Sequence, residues 1–164
     1  MILKPYYDAL TCMAQNKSMD IQSKGGSTYS VNASSAYKLL LLVAGMSAIS
    51  TSGGASSVIF GTGSNPVALT DVNLSGTQIT TLSGAGQAKA SHDSTNKITT
   101  VESVLTVTNT GSADVTVGEV GLQLNYTGNW AFLIDRTVLD APVTIPAGGV
   151  GQITYTINMI YPTD

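Results

Sequence analysis

The strongest constraint on the fold is a two-residue alternation of apolar and polar side chains in the last third of the chain. The alternation runs through residues 101–109, 115–126, 130–138 and 153–161. A period of two puts the apolar side chains on one face of a β-strand and the polar ones on the other. The pattern therefore predicts four strands, each with one buried side.

Short turns separate these strands, and such spacing is typical of an antiparallel β-sandwich of the jelly-roll or immunoglobulin-like type. Charged residues make up only 10 % of the chain, which argues against a helical bundle. The sequence shows no strand–helix–strand alternation, so a parallel nucleotide-binding sheet is not expected. We therefore expect a mainly β protein with a short helical N-terminal region.

The alternation slips by one residue at Gly118. The apolar positions are odd-numbered up to Val117 and even-numbered from Val120 onward. A slip of this kind at a glycine predicts a β-bulge. Replacement of Gly118 by Val is accordingly expected to destabilise the protein more than Gly121→Ala does.

The first 54 residues have a different character. Apolar residues recur at helical spacing over residues 5–15, with Pro5 as a first-turn residue. Residues 21–31 contain a turn and are expected to form a hairpin, and a second helix is expected over residues 36–48. We therefore divide the chain into a helical and hairpin anchor region, residues 1–54, and a β-sandwich domain, residues 55–164.

Charge and composition argue against several functions. The seven Lys and Arg residues are scattered, so no basic stripe for a nucleic acid is present. The most apolar run, residues 39–49, is shorter than the ~20 residues that span a bilayer and predicts a buried helix or strand. The start of the chain lacks the long apolar segment of a secretory signal, so no Sec-type export is expected. We expect neither nucleic-acid nor membrane partners.

The single Cys and single His exclude a disulfide framework and a multi-His metal site. Cys12 is expected to be a small buried hydrophobe. The seven Asp residues show no calcium-loop spacing, which leaves a calcium ion held between loops as an open alternative. No cofactor is expected.

Two short stretches contain residue types that enzymes use. Ser91, His92 and Asp93 match the types of a hydrolase triad, but neighbours on a strand point to opposite faces and cannot form the relay. Residues 61–66 are glycine-rich but lack the Lys and Ser/Thr ending of a phosphate-binding loop, so a structural turn is expected. We expect that the protein is not an enzyme.

Arg136 is the most unusual charge in the C-terminal half. In the alternation it shares a face with Trp130 and Phe132, and it directly follows Asp135. Either its stem packs on the sheet with the guanidinium in water, or Arg136 and Asp135 take part in a structural or inter-subunit ion pair. We expect Trp130, Phe132 and Tyr155 to be the aromatic residues of the core.

Three segments carry a resemblance to known proteins. Residues 58–74 contain a strand, a Gly-Thr-Gly turn, a Pro, and then an Asp and a Leu. Residues 132–157 contain an Arg-bearing strand, a Pro-Val-Thr-Ile-Pro corner and a Thr-rich last strand, and residues 6–10 read Tyr-Tyr-Asp-Ala-Leu. Together these segments resemble small structural virion proteins of tailed bacteriophages.

This resemblance implies a non-enzymatic subunit of the virion, of the capsid-decoration or head-fibre kind. It implies a homo-oligomer, with a trimer favoured, that contacts the major capsid protein or other virion proteins. Two alternatives stay open: a tail or neck accessory protein, and an immunoglobulin-like adhesion or carbohydrate-binding module of a bacterial surface protein. The resemblance supplies no catalytic or cofactor-binding residues.

Overall fold

A computed structural model describes residues 1–36, 48–49, 56–127 and 130–160. Over these residues the protein is mainly β and its strands pair mostly antiparallel, as the alternation predicts. The elements in chain order are α1 (Lys4–Gln15), β1 (Met19–Gln22), β2 (Thr28–Val31), the one-turn α2 (Ala33–Ala36), β3 (Ala48–Ile49), β4 (Ser57–Gly61), β5 (Gln78–Ile79), β6 (Leu82–Asp93), β7 (Ile98–Asn109), β8 (Val115–Thr127), β9 (Trp130–Ile145) and β10 (Val150–Ile160).

Eight strands form one large sheet. Their order is β10-β7-β6-β3-β4-β8-β9, with β5 paired to β4. Neighbours in this sheet are antiparallel except β3 and β4, which are parallel. Strands β1 and β2 form a separate hairpin, so the hairpin predicted over residues 21–31 is confirmed.

The large sheet curls around one hydrophobic core. Leu122 of β8 belongs to the same buried cluster as Leu105 of β7 and Ile157 of β10. The hydroxyl of Tyr155 on β10 donates a hydrogen bond to Asp135 on β9. Because β9 and β10 are the two ends of the strand order, this bond shows that the sheet bends back on itself.

Helix α1 packs on the same core. Pro5 lies in its first turn, where the missing N–H leaves no intrahelical hydrogen bond unmade. Asn16 ends the helix in the left-handed conformation, at φ 51°. Ala9 and Cys12 are buried against the core, and the helix predicted over residues 5–15 is confirmed. The helix predicted over residues 36–48 lies largely outside the described residues, and Ala48 begins β3 instead.

Strands β8 and β9 are out of simple register at the predicted slip. Val117 pairs with Val143, and Glu119 pairs with Val138, so Gly118 alone stands opposite four residues of β9. The irregularity therefore occurs where the slip in the alternation predicts it. It is larger than a simple β-bulge, and the extra residues are on the partner strand.

A second irregularity reverses the faces of β9. Leu133 and Asp135 pair with consecutive residues of β8, so Ile134 is an extra residue. One extra residue moves every later side chain to the other face of the strand. The expectation that Arg136 shares the face of Phe132 is therefore wrong, because Asp135 points inward and Arg136 outward.

Candidate functional site

The most extensive polar site is a buried ion network on the outer side of β8 and β9. Arg136 is 1 % exposed and Glu119 is fully buried. Arg136 Nε donates to Glu119 Oε2 at 2.6 Å, and Arg136 Nη1 donates to Asp71 Oδ2 at 2.6 Å. Arg136 Nη2 donates to the backbone carbonyl of Asn65 at 2.7 Å. One guanidinium thus joins both strands to the loop between β4 and β5, residues 62–77.

Glu119 binds the two ends of this loop. Its Oε1 accepts hydrogen bonds from the backbone N–H of Gly63 at 3.1 Å and of Gly76 at 2.7 Å. Its Oε2 accepts from the backbone N–H of Ser75 at 3.0 Å as well as from Arg136. The carboxylate is therefore well satisfied although it is buried, as a stable buried charge requires.

Apolar residues beneath the loop form a second buried cluster next to this network. The cluster consists of Leu3, Ile59, Leu74 and Leu133, and Val67 packs against it. Leu74 comes from the loop, and Ile59 and Leu133 come from the outer faces of β4 and β9. The loop therefore has a small core of its own, and the ion network lies at the edge of that core.

The network shifts the pKa values of Glu119 and Arg136. Burial by itself would raise the pKa of Glu119, but the N–H groups of Ser75 and Gly76 and the charge of Arg136 outweigh burial and hold that pKa below its usual range. Burial would likewise lower the pKa of Arg136, but Glu119 and Asp71 outweigh it and raise that pKa. Both groups are therefore held in their charged forms.

Asp135 lies on the opposite face of β9 and has different partners. Its Oδ1 lies 2.9 Å from the amino group of Met1, and its Oδ2 accepts the hydrogen bond from Tyr155. Burial raises the pKa of the Tyr155 hydroxyl well above its usual value, and the charge of Asp135 raises it further. The Tyr155 hydroxyl therefore stays protonated, and the hydrogen bond that it donates to Asp135 connects β10 to β9, the two ends of the strand order.

These contacts identify the ion-pair partners of Arg136 and Asp135, the two charges for which the sequence predicts a structural ion pair as one alternative. Arg136 and Asp135 both form ion pairs, but with different partners on opposite faces of β9. The interpretation that places the Arg136 guanidinium in water is wrong, since the side chain is buried. The sequence reasoning missed Glu119 and Asp71. A lone Glu in the otherwise apolar stretch of β8 is the signal that could have indicated Glu119.

Two of the three aromatic residues expected in the core, Phe132 and Tyr155, are buried there. Phe132 is fully buried and Tyr155 is 7 % exposed, and both belong to the main core cluster. The backbone of Trp130 begins β9, and its side chain lies outside what the structure describes. Cys12 is buried, and its Sγ lies 2.9 Å from the carbonyl oxygen of Lys17.

The triad-like residues lie at an exposed hairpin tip. Asp93 accepts hydrogen bonds from the backbone N–H groups of Thr95 and Asn96, so it caps the turn between β6 and β7. His92 is exposed, and its Nδ1 lies 3.2 Å from Thr99 Oγ1. These contacts explain the residues as turn and strand structure. The glycine-rich residues 61–66 belong to the loop that Glu119 and Arg136 hold.

The outer face of β6, β7 and β10 is a broad surface with little charge, which we call the outer threonine face. Its exposed residues include Ala85 and Gln87 on β6, Val104 and Thr106 on β7, and Gln152, Thr154 and Thr156 on β10. Lys89 and Glu102 lie on the same face and pair with each other at 3.1 Å. A face of this composition can be covered with little cost for desolvating charge.

Helix α1 carries a second exposed surface, which we call the α1 stripe. Tyr7, Leu10 and Met13 follow one another at intervals of three residues and are 50, 41 and 40 % exposed. Residues at this spacing lie on one side of a helix. The α1 stripe is therefore apolar surface on the side away from buried Ala9 and Cys12.

Comparison with protein-family models, with curated proteins and with solved structures finds no match for this chain. In the part of the chain that the structure describes, no three His, Cys, Asp or Glu residues are grouped so that they could hold a metal ion. No helix among the described residues is long and apolar enough to cross a membrane.

Proposed function

We propose that this protein is a non-enzymatic structural subunit of a bacteriophage virion that decorates the capsid by making repeated contacts with itself and with other virion proteins. The outer threonine face is the observation that carries the proposal. Its exposed residues on β6, β7 and β10 offer a broad and nearly uncharged contact area. The virion setting comes from the resemblance of residues 58–74 and 132–157 to such proteins.

The α1 stripe supports self-association. Tyr7, Leu10 and Met13 expose apolar area beside one another on a single helix. Contiguous exposed apolar area on a folded domain commonly marks a protein–protein contact. We propose that copies of the chain meet along this stripe in a closed oligomer, with a trimer favoured.

The curled sheet supports classification of the fold as a two-layered β-sandwich. Strands β4, β8 and β9 form one layer and β6, β7 and β10 the other. Val120 and Leu122 of the first layer pack in one cluster with Leu105 and Val107 of the second. On this layered arrangement we propose that the fold belongs to the jelly-roll or immunoglobulin-like group.

Quantitative mass spectrometry of purified phage particles whose genome encodes this chain tests the virion role. We expect many copies in each particle. A chain that is expressed during infection but absent from purified particles contradicts the proposal. A few copies, found on particle fragments that contain tails or necks, would point to the accessory-protein alternative instead.

Charged substitutions test the contact surface. The double variant Gln87→Glu/Thr106→Glu places two carboxylates on the outer threonine face, and we expect the chain to be lost from particles. Thr116→Glu is the matched control, because Thr116 is an exposed strand threonine on β8, away from this face. Retention of the double variant at the level of the control would contradict a role for the outer threonine face.

Sedimentation of the purified chain tests the α1 stripe. We expect an oligomer that Leu10→Glu dissociates, because the new charge interrupts the apolar stripe. Gln15→Glu adds the same charge to an exposed position on the polar side of α1 and should leave the oligomer intact. A wild-type chain that remains monomeric at high concentration contradicts self-association.

A further inference from the structure

The seam between β9 and β10, where the curled sheet fails to close, is partly filled by the chain itself. Leu3 N–H donates to the Ile134 carbonyl at 2.7 Å, and Arg136 N–H donates to the Met1 carbonyl at 3.2 Å. Ile2 forms an antiparallel bridge with Asp135 between these bonds. The first residues of the chain therefore already lie against the edge of β9 as an added strand.

Beyond this point no strand among the described residues fills the seam. A cleft of about 200 Å³ is lined by Phe60, Val107, Val117, Leu139, Val143 and Ile153, among others. A second hollow of about 310 Å³ continues from Leu139 and Ile153 toward Thr137 and Tyr155. All residues that line the two hollows are uncharged. The occupant that fits this chemistry is uncharged and has apolar side chains.

The walls of the cleft are two strand edges. Within the described residues, β9 pairs only with β8 and with Met1–Leu3, and β10 pairs only with β7. Strand edges present backbone N–H and C=O groups that an extended polypeptide can pair with. Strand β9 contains Pro142, which has no N–H to donate, whereas residues 150–160 of β10 include no proline. Strand β10 is therefore the better template.

We propose that the open half of this seam binds an extended, uncharged segment of another protein, which adds as a strand to β10 and places alternate apolar side chains in the cleft. A bound strand would pair with the edge of β10 as Met1–Leu3 pair with the edge of β9. Gly151 supports this geometry, because it lines the cleft and a Cβ there would meet no atom within 4 Å.

The occupant is a different protein rather than a second copy of this chain. Each of the ten described strands is already paired within the protein. A segment that enters the seam lies between β9 and β10, so both of its edges must be free of other strands. A second copy would have to unpair one of its described strands to meet this requirement, and this would break ladder hydrogen bonds. A segment of another protein that is extended before it binds has no such cost. The inference does not depend on the virion setting, because it requires only an extended polypeptide.

A synthetic peptide tests the site directly. The probe has six residues of alternating Thr and Ile between two terminal Lys residues, and it is acetylated and amidated. We expect saturable binding to the purified chain, with slower amide hydrogen exchange in residues 150–156. A control peptide in which every backbone amide of the six central residues is N-methylated keeps the side chains but lacks ladder donors on both edges, and it should not bind.

Two variants locate the binding. Val143 is 54 % exposed at the rim of the cleft, and we expect Val143→Lys to weaken peptide binding at least tenfold. Val104→Lys is the matched control on the outer threonine face and should bind as the wild type does. If Val143→Lys fails to fold, Gly151→Ile, which fills the cleft without removing any contact, should give the same loss.

Three results would overturn the proposal. The first is an absence of saturable binding at millimolar peptide, and the second is equal binding of the N-methylated control. The third is a dimer of the wild-type chain that Val143→Lys dissociates, because it would assign the seam to a second copy.

Discussion

At the scale of single residues, Arg136 and Glu119 are the clearest case of a charge that belongs to the structure. Each is almost completely buried, and each holds a different part of the 62–77 loop. Removing one partner from a buried ion pair leaves the other charge without compensation in a dry site. The pair is therefore costly to break, whatever its net contribution is when it is intact.

Arg136→Met should lower the free energy of unfolding by about 3–5 kcal/mol, because the fully buried Glu119 loses its cation. Urea denaturation measures this loss. Lys89→Met removes a cation from the exposed pair with Glu102 and should cost less than about 1 kcal/mol. Similar costs for the two variants would show that the Arg136 network is solvated in solution.

Glu119 should also make the free energy of unfolding depend on pH. Its folded-state pKa lies below the usual value of 4.5, so its contribution is present above pH 4.5 and is lost as pH falls through the folded-state pKa. Urea midpoints measured downward from pH 7 should decline below pH 4.5 in the wild type. Glu119→Gln, which cannot titrate, should decline less steeply over the same range, and parallel curves would contradict the assignment.

At the scale of elements, close approach of backbones decides where glycine is needed. A Cβ on Gly118 would lie 2.5 Å from the Gly63 carbonyl oxygen, which is backbone and cannot rotate away. A Cβ on Gly121 would meet the Leu133 side chain at 2.9 Å, and that side chain can move. The structure thus supplies a reason why substitution at Gly118 should be the more damaging.

Gly118→Ala should therefore cost about 1–3 kcal/mol of unfolding free energy. Gly151→Ala is the control, since a Cβ there meets nothing within 4 Å, and it should change stability by less than about 0.5 kcal/mol. Thermal unfolding of the two variants measures the difference. Equal stability of the two would mean that the 62–77 loop shifts away from β8 at little cost.

The β6–β7 hairpin contains a local strain that a substitution can relieve. Lys97 ends the turn in the left-handed region, at φ 57°, where a side chain is disfavoured. Lys97→Gly should raise the free energy of unfolding by about 0.5–1 kcal/mol. Lys89→Gly, in the middle of β6, should lower it by a similar amount. A decrease for both variants in urea denaturation would contradict the strained turn.

At the scale of the whole molecule, both parts of the chain share one core. Ala9 of α1 and Ile21 of the hairpin are buried in the same cluster as Leu105 and Leu122 of the large sheet. Strand β3, which precedes residue 54, is inserted between β6 and β4. The anchor region and the β domain of the sequence-based division are therefore joined by packing and by strand pairing.

A shared core should unfold in one step. We expect urea transitions followed by far-ultraviolet circular dichroism and by the exchange of α1 amides to coincide, as they do for a two-state domain. An earlier loss of protection confined to residues 4–31 would show that the anchor region unfolds independently.

The sequence by itself determined the elements that depend on local pattern. The strand alternation, the helix over residues 5–15, the first hairpin and the slip at Gly118 follow from periods of two or 3.6 residues and from turn chemistry, which are local properties. The class of fold, mainly β and antiparallel, follows from these elements.

The tertiary structure determined the features that depend on contacts between residues far apart in the chain. Ile134 becomes an extra residue in β9 only because of its pairing with β8, and that one residue sends Arg136 outward to Glu119 and Asp71, away from Asp135. The open seam likewise results from the way eight strands curl around one core. Strand register and sheet curvature are set by contacts between residues far apart in the chain, so local periodicity does not predict them.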